Sequence, residues 1–326
     1  MPDWLPITPG LVSVVIPMKN GRDYIAAACG SILAERDVSL ELIVVDDGST
    51  DGSAEVVRGL GDARATVIAG PCEGNIATSV NAGLRGARGE YLVRCDADDL
   101  SVRGRLAWQK AWLESHADYA AIAGAFDTID PAGRELSPMN TTAAAGEITD
   151  ELREGKTRTH LNTCMVRMEV ARELEGFRPY FSGTEDIDFQ LRVGTANRVW
   201  FEPRITYRYR LHGTSITHTQ ATARREFLTA TARAFARQRR DTGQDDLQRG
   251  CPPTPPADGS EAHDVGQHMQ DVLIGRAWRE HREGRRSAAV RTAARAAWTQ
   301  PTRLHGWRQL GVLMCKAVAG RGASRG

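Results

Sequence analysis

Tyr91-Leu92-Val93-Arg94-Cys95-Asp96-Ala97-Asp98-Asp99 is the stretch on which the reading of this chain turns. An apolar run stops at an arginine, and three carboxylates follow within four residues. Such a cluster repels itself unless a cation or a chemical demand compensates it. The i, i+2 spacing of Asp96 and Asp98 lets a chain leaving a sheet edge offer two oxygens to one hard ion. Strand, Asp-x-Asp, then helix is the order that a Mg²⁺ or Mn²⁺ ion bridging a diphosphate would need. The plain alternative is helix capping. Asp99 is assigned to that capping role, Asp98 to direct metal contact and Asp96 to a second contact.

Working outward, the same pattern recurs upstream. Leu40-Glu41-Leu42-Ile43-Val44-Val45 runs into Asp46-Asp47-Gly48-Ser49-Thr50-Asp51, a turn that opens a helix over 53–60. Leu11–Ile16 is a β-branched run stopped by Pro17, with Lys19-Asn20 beyond it. Thr66-Val67-Ile68 reads as a further strand, and helices are predicted over 23–33 and 75–84. Strands alternating with helices at these intervals predict an α/β fold with a doubly wound, mostly parallel sheet. Ligands of such sheets bind beyond the C-terminal strand ends. Lys19-Asn20, Asp46-Asp47 and Asp96–Asp99 should therefore line one crevice. Downstream, the pattern predicts a helix over 102–115, a strand over 120–126 and a mobile polar loop from 130 to 156. Further strands are expected at 162–167, 198–201 and 205–209, with helices at 170–174 and 186–193.

Beyond residue 220 the pattern is helical. The chain thus divides into a domain over 1–220 and a basic helical extension over 221–326, with a Pro-rich linker near 250–260. Phe227, Leu228, Thr231, Ala234 and Phe235 share one helix face. Residues 265–282 and 286–298 read as a helical hairpin. Net charge is +1, but residues 1–220 carry 23 Lys and Arg against 31 Asp and Glu, whereas residues 221–326 carry 19 against 10. The basic tail suits a membrane surface, an acidic partner or the acidic domain itself; no nucleic-acid partner is expected. The six cysteines show no CxxC pair, and no leader pattern opens the chain. The apolar stretch 310–319 is about half of a spanning helix and contains Lys316. A cytoplasmic protein, peripheral at most at the inner face of the cell membrane, is the expectation.

Four other candidates carry chemistry. Asp47 is either an Asx-turn residue or the acceptor of a nucleotide-base N–H. Glu185-Asp186-x-Asp188 either favours a helix N-terminus or supplies a general base. His212, within Tyr207–Thr217, is a third metal ligand, a phosphate donor or simply structural. Arg94 either pairs with the acidic cluster or contacts a donor.

Taken in order, these segments resemble glycosyltransferase family 2. The resemblance rests on Val12-Ser13-Val14-Val15-Ile16-Pro17 with Asn20, the Val44–Asp51 stretch and Asn81-x-Gly83. It continues through Ala87-Arg88-Gly89-Glu90-Tyr91, Arg94-x-Asp96-Ala97-Asp98-Asp99 with Arg105-Leu106, Gly176-Phe177 and Glu185-Asp186, and covers about residues 11–217. It implies a GT-A fold, a nucleotide-sugar donor with UDP favoured, Mg²⁺ or Mn²⁺, and inversion at the sugar carbon. Pro17, Asn20, Asp47, Arg94 and Asp96 would face the donor. Asp96 and Asp98, with His212, would hold the metal. Asp186 would be the base, with Glu185 alongside. Processive synthases of the family carry Gln-x-x-Arg-Trp; Gln190-Leu191-Arg192-Val193 departs from it. That implies single-sugar addition to a carbohydrate or lipid-linked acceptor, in cell-surface polysaccharide, glycolipid or glycoconjugate synthesis. A sugar-nucleotide pyrophosphorylase would want a Gly-rich phosphate loop that Pro17–Arg22 does not supply. A non-catalytic scaffold would not need the acidic sites.

Overall fold

The computed structural model describes residues 4–213, 222–257 and 264–322. Four parallel strands form its first half: β1 (Thr8–Met18), β2 (Leu40–Asp46), β3 (Ala65–Ala69) and β4 (Gly89–Arg94), in the spatial order 3-2-1-4. Between them lie α1 (Ile25–Leu33), α2 (Ser53–Arg58) and α3 (Ile76–Gly86). Side chains alternate across each strand. Val12, Val14 and Ile16 therefore join one apolar layer with α1 and α2, while Val15, Ile43 and Val45 join the other with α3. Both faces are covered, which is why these strands read as continuous apolar runs.

The second half extends the sheet. β5 (Leu100–Ser101) precedes α4 (Arg105–Ser115), and β6 (Tyr119–Ile129) is followed by β7 (Glu135–Met139), β8 (Gly146–Glu147) and α5 (Thr149–Arg153). Then come β9 (Met165–Arg167), α6 (Met168–Glu173), α7 (Glu185–Ala196) and β10 (Arg198–Arg210). β9 pairs antiparallel with β4 and β6, and the sheet continues through β10 to β5. Residues 130–156 are thus not the expected loop: they contain two strands and a helix. The strands expected at 198–201 and 205–209 are one. Pro203 falls between the stretch paired with β8 (Trp200, Phe201) and that paired with β5 (Tyr207, Arg208), so it interrupts neither pairing.

The tail holds α8 (Thr222–Thr242), α9 (Val265–Arg282), α10 (Arg286–Thr299) and α11 (Leu304–Gly322). Among the described residues, no helix is long and apolar enough to cross a membrane.

The described chain forms two compact units, and their division does not fall at residue 220. The first comprises 4–126, 139–209 and 222–257; the second comprises 127–138, 210–213 and 264–322. α8 joins the first unit for two reasons. Leu228, Ala232, Phe235 and Ala236 share a core with Phe181 and Phe189. A buried ionic chain also ties it down: Arg178 Nε and Arg192 Nε each lie 2.9 Å from Asp188 Oδ2, and Arg178 Nη1 and Arg239 Nη1 reach Asp245 Oδ2 at 2.7 and 2.6 Å. The Pro-rich segment is pinned too, by Tyr180 Oη donating to the Pro253 carbonyl at 2.6 Å. In the second unit Ala277, Ala293 and Leu313 form a small core with Trp278 and Leu310.

Candidate active site

At the β1 and β2 ends, backbone geometry does most of the construction. Met18 pairs with Asp46, and the Asp47 N–H donates to the Met18 carbonyl at 2.8 Å. Asn20 adopts φ +54°, a left-handed conformation that Asn tolerates. Its N–H donates to Ser49 Oγ at 2.9 Å, and its Oδ1 accepts from the Thr50 N–H at 2.8 Å. Asp46 Oδ1 accepts from the Ser49 N–H at 2.9 Å. Asp47 is not a local turn residue. Its two oxygens accept from the N–H groups of Cys72 (2.8 Å) and Gly74 (3.2 Å), so it shapes the loop between β3 and α3. Space is tight at Gly70, where a Cβ would lie 3.1 Å from Asp47 Oδ1 and from the Asp46 carbonyl. Pro17, buried in β1, stands opposite Val45. Pro17, Asn20 and Asp47 are thus brought to one edge of the sheet.

One strand over, side chains do the work. Val15 pairs with Arg94. The buried Arg94 guanidinium lies between two carboxylates, with Nη2 3.0 Å from Asp96 Oδ1 and Nη1 2.8 Å from Glu185 Oε1. Burial pulls the Arg94 pKa down, but Asp96, Glu185 and Asp186 outweigh it and hold the group charged. Asp96 Oδ2 accepts from Asn162 Nδ2 at 2.8 Å. Tyr207 Oη is a hub: it accepts from the Asp96 N–H at 3.0 Å and from Asn162 Nδ2 at 3.2 Å, and donates to Asp99 Oδ2 at 2.7 Å. Burial, then the Asp99 charge, keeps this phenol well above its ordinary pKa, so it remains a donor.

Asp99 is therefore not a helix cap. Residues 100–101 form β5, and α4 starts after Gly104 with no side-chain cap. Fully buried Asp99 anchors Tyr207 instead.

Glu185 and Asp186 open α7. Glu185 is buried, and its Oε2 accepts from the Gly183 N–H at 2.6 Å. Burial pushes its pKa up and Arg94 pulls it back, with Asp186 and Asp96 adding to the rise. Asp186 is half-buried. His160 feels the charges of Asp186 and Asp96, yet burial outweighs them and pushes its pKa down, favouring the neutral imidazole. Its ring stacks on Tyr209 (centroids 5.3 Å apart) and meets Phe126 edge-on at 4.7 Å. Asp188 belongs to the ionic chain on α7, away from this work.

Arg94, Asp96, Glu185 and Asp186 are thus gathered into one electrostatic group. Sequence reasoning missed Asn162, Tyr207 and His160. Their partners lie 34 to 111 residues away along the chain, so no local spacing marks them. His212 is buried and falls in the second unit.

Among the described residues, no three His, Cys, Asp or Glu side chains gather into a metal cluster. The donor set nonetheless fits a hard cation that arrives with a diphosphate. Such an ion takes one or two carboxylates and completes its shell with phosphate oxygens and water. Asp96 and Asp98 are both part-exposed carboxylates at a strand end.

A parallel sheet with aspartates clustered at its strand ends, extended by antiparallel strands and by a helix that opens on a carboxylate pair, defines an α/β domain with an acidic site at the strand ends. Residues 13–174 match the model of glycosyl transferase family 2, and the chain belongs to that family. Over 189 residues it is 31% identical to the protein EpsE of Bacillus subtilis, whose name reads "Putative glycosyltransferase EpsE", covering 56% of this chain and 66% of that protein. It is 27% identical to the chondroitin synthase of Pasteurella multocida over 67% of this chain but 22% of that one. The chain thus spans just under two thirds of one relative and about a fifth of the other. Among solved structures it is similar to S. aureus TarS 1–349 in complex with UDP-GlcNAc, with TM-score 0.58 and 18% identity over 81% of this chain and 70% of that one. That likeness is one of fold, the GT-A type.

Proposed function

We propose that the chain is an inverting, metal-dependent glycosyltransferase that adds a single sugar from a UDP-sugar to an acceptor hydroxyl. The observation that carries this reading is the Arg94 bridge. One buried guanidinium holds Asp96, on the side of the Asp-x-Asp motif, and Glu185, next to the base candidate Asp186. The TarS neighbour was solved with UDP and with UDP-GlcNAc, which supports a uridine donor. The loops shaped by Asn20 and Asp47 would receive the nucleotide.

A divalent cation held by Asp96 and Asp98 would supply Lewis-acid stabilisation of the departing diphosphate. Asp186 takes the proton from the acceptor hydroxyl as that oxygen attacks the anomeric carbon. The C1–O bond to the diphosphate breaks on the opposite face, which inverts the centre. Arg94 keeps Glu185 and Asp96 fixed and offsets their charge beside Asp186. The relatives named for polysaccharide chains favour a glycan acceptor, and the basic tail suits one at the inner face of the cell membrane.

The test is turnover of a panel of nucleotide sugars with Mn²⁺ and with a chelator. Release of UDP from one donor with Mn²⁺, lost on chelation, and a product of inverted configuration by NMR are expected. Turnover only of a sugar phosphate with a nucleoside triphosphate would replace the reading with a pyrophosphorylase. Retained configuration would remove the single-displacement step.

A further inference from the structure

The second unit contains a cavity of about 270 Å³ lined by Glu135, Leu273, Arg276, Arg291, Thr292 and Arg295. We propose that it binds a phosphate group, independently of the nucleotide-sugar site. The cavity brings three guanidinium groups, from α9 and α10, against a single lining carboxylate. Two of those groups are held in place by other contacts. Arg276 Nε lies 3.0 Å from Glu280 Oε1, and its Nη1 lies 3.0 Å from Glu135 Oε1. Arg295 Nη1 donates to the Glu135 carbonyl at 2.6 Å, and its Nη2 lies 3.1 Å from Asp130 Oδ2.

The held pair still has donors to spare. No contact occupies Arg276 Nη2 or Arg295 Nε among the described residues. Arg291 is exposed and has no hydrogen-bond or ion-pair partner among the described residues. The neighbouring acids do not neutralise the site. Asp130 is shared with Arg134, and Glu280 also accepts from Thr292 Oγ1 at 2.7 Å. With the paired neighbours counted, Arg134, Arg276, Arg291 and Arg295 face Asp130, Glu135 and Glu280, which leaves one positive charge in excess, that of Arg291, to meet an anion. Guanidinium forks bind phosphate through paired, charge-assisted hydrogen bonds. Fixing two forks in advance lowers the ordering cost of binding.

The phosphate could belong to a soluble molecule or to a lipid headgroup, and one experiment separates the two. The full chain is saturated with UDP and Mn²⁺ so that the donor site is filled. Inorganic phosphate is then titrated calorimetrically, and sedimentation with vesicles of phosphatidylcholine, with and without phosphatidic acid, is measured in parallel. One phosphate per chain is expected, weakened about tenfold in Arg291→Gln, since a charged hydrogen-bond partner is lost. Binding should be abolished in Arg291→Glu. UDP affinity should stay unchanged in both variants, so failure here is distinguishable from failure of the transferase reading. Arg291 holds no other group, so neither variant removes a folding contact. Sedimentation with phosphatidic acid that Arg291→Glu abolishes would identify a lipid phosphate; phosphate binding without sedimentation would identify a soluble one. No phosphate binding at UDP saturation, or equal binding by all three proteins, would overturn the site.

Discussion

The β2 and β4 ends look alike as sequence, each an apolar strand running into clustered aspartates, but they are satisfied in opposite ways. Asp46, Asp47 and Asp51 accept from backbone N–H groups of nearby loops. Asp96 and Asp99 are held by side chains of Arg94, Asn162 and Tyr207. Backbone donors fix a loop's shape and stay put. A guanidinium, an amide and a phenol instead tie the second cluster to α7, β10 and the turn before β9. The first end is therefore built as a cradle. The second is built as a junction between the donor side and the Glu185-Asp186 pair.

Breaking the junction should cost most at its buried charge. Arg94→Met leaves Glu185 and Asp96 without their counter-ion, and removing one partner of a buried pair costs about 3–5 kcal/mol. Chemical denaturation should show that loss, together with an abolished transfer rate. A loss below about 1 kcal/mol would show that the bridge is slack. Tyr207→Phe should come next. It leaves buried Asp99 short of a donor and Asp96 N–H short of an acceptor, at about 1–3 kcal/mol. Its Mn²⁺ requirement should rise, whereas a purely structural role would lower stability alone.

The cradle should respond more mildly and by a different measure. Asp47→Asn keeps the side chain's shape but gives up one of its two acceptor oxygens. Its expected cost is about 1 kcal/mol, seen mainly as weaker UDP binding at unchanged turnover. The smallest effect is one of pH. Burial pushes Asp51 up, but the Ser53 hydroxyl and the N–H groups of Arg22 and Ser53 outweigh it and leave its pKa below the ordinary value. A carboxylate lowered in the folded state stabilises above the unfolded value of about 3.9 and loses that contribution as pH falls through the folded value. Acid unfolding should thus begin at slightly higher pH in wild type than Asp51→Asn predicts by extrapolation from neutral pH; identical slopes would show that Asp51 is unlinked.

How far the sequence carried follows the same division. The parallel half was legible because its strands are apolar on both faces and its turns are made of Asp, Gly, Ser and Asn, whose chemistry is local. Asn75 as the cap of α3 is one such signal, its Oδ1 accepting from the Ala77 N–H at 3.1 Å. The pairing of two sequence motifs was not legible, though both were visible. Asn81 holds Phe177 from both sides: its Nδ2 donates to the Phe177 carbonyl at 2.7 Å, and its Oδ1 accepts from that residue's N–H at 2.8 Å. The hairpin at 119–139 was missed, and the docking of α8 on the acidic domain stood as only one of three alternatives, for a related reason. Thr, Gly and Pro in the one, and a basic surface on the other, say loop and free helix locally. Cross-chain pairing and the Asp188–Asp245 ion network decide otherwise. Asp99 was misread as a cap because its real partner, Tyr207, lies 108 residues away.

The most direct measurement compares Asp186→Asn with wild type for UDP affinity and for UDP release from the active donor with acceptor present. If Asp186 is the base at this junction, UDP affinity stays the same and turnover falls by about 10²–10⁴-fold, the usual contribution of a general base. Undiminished turnover in Asp186→Asn, or a loss accounted for entirely by weaker UDP binding, would contradict the assignment.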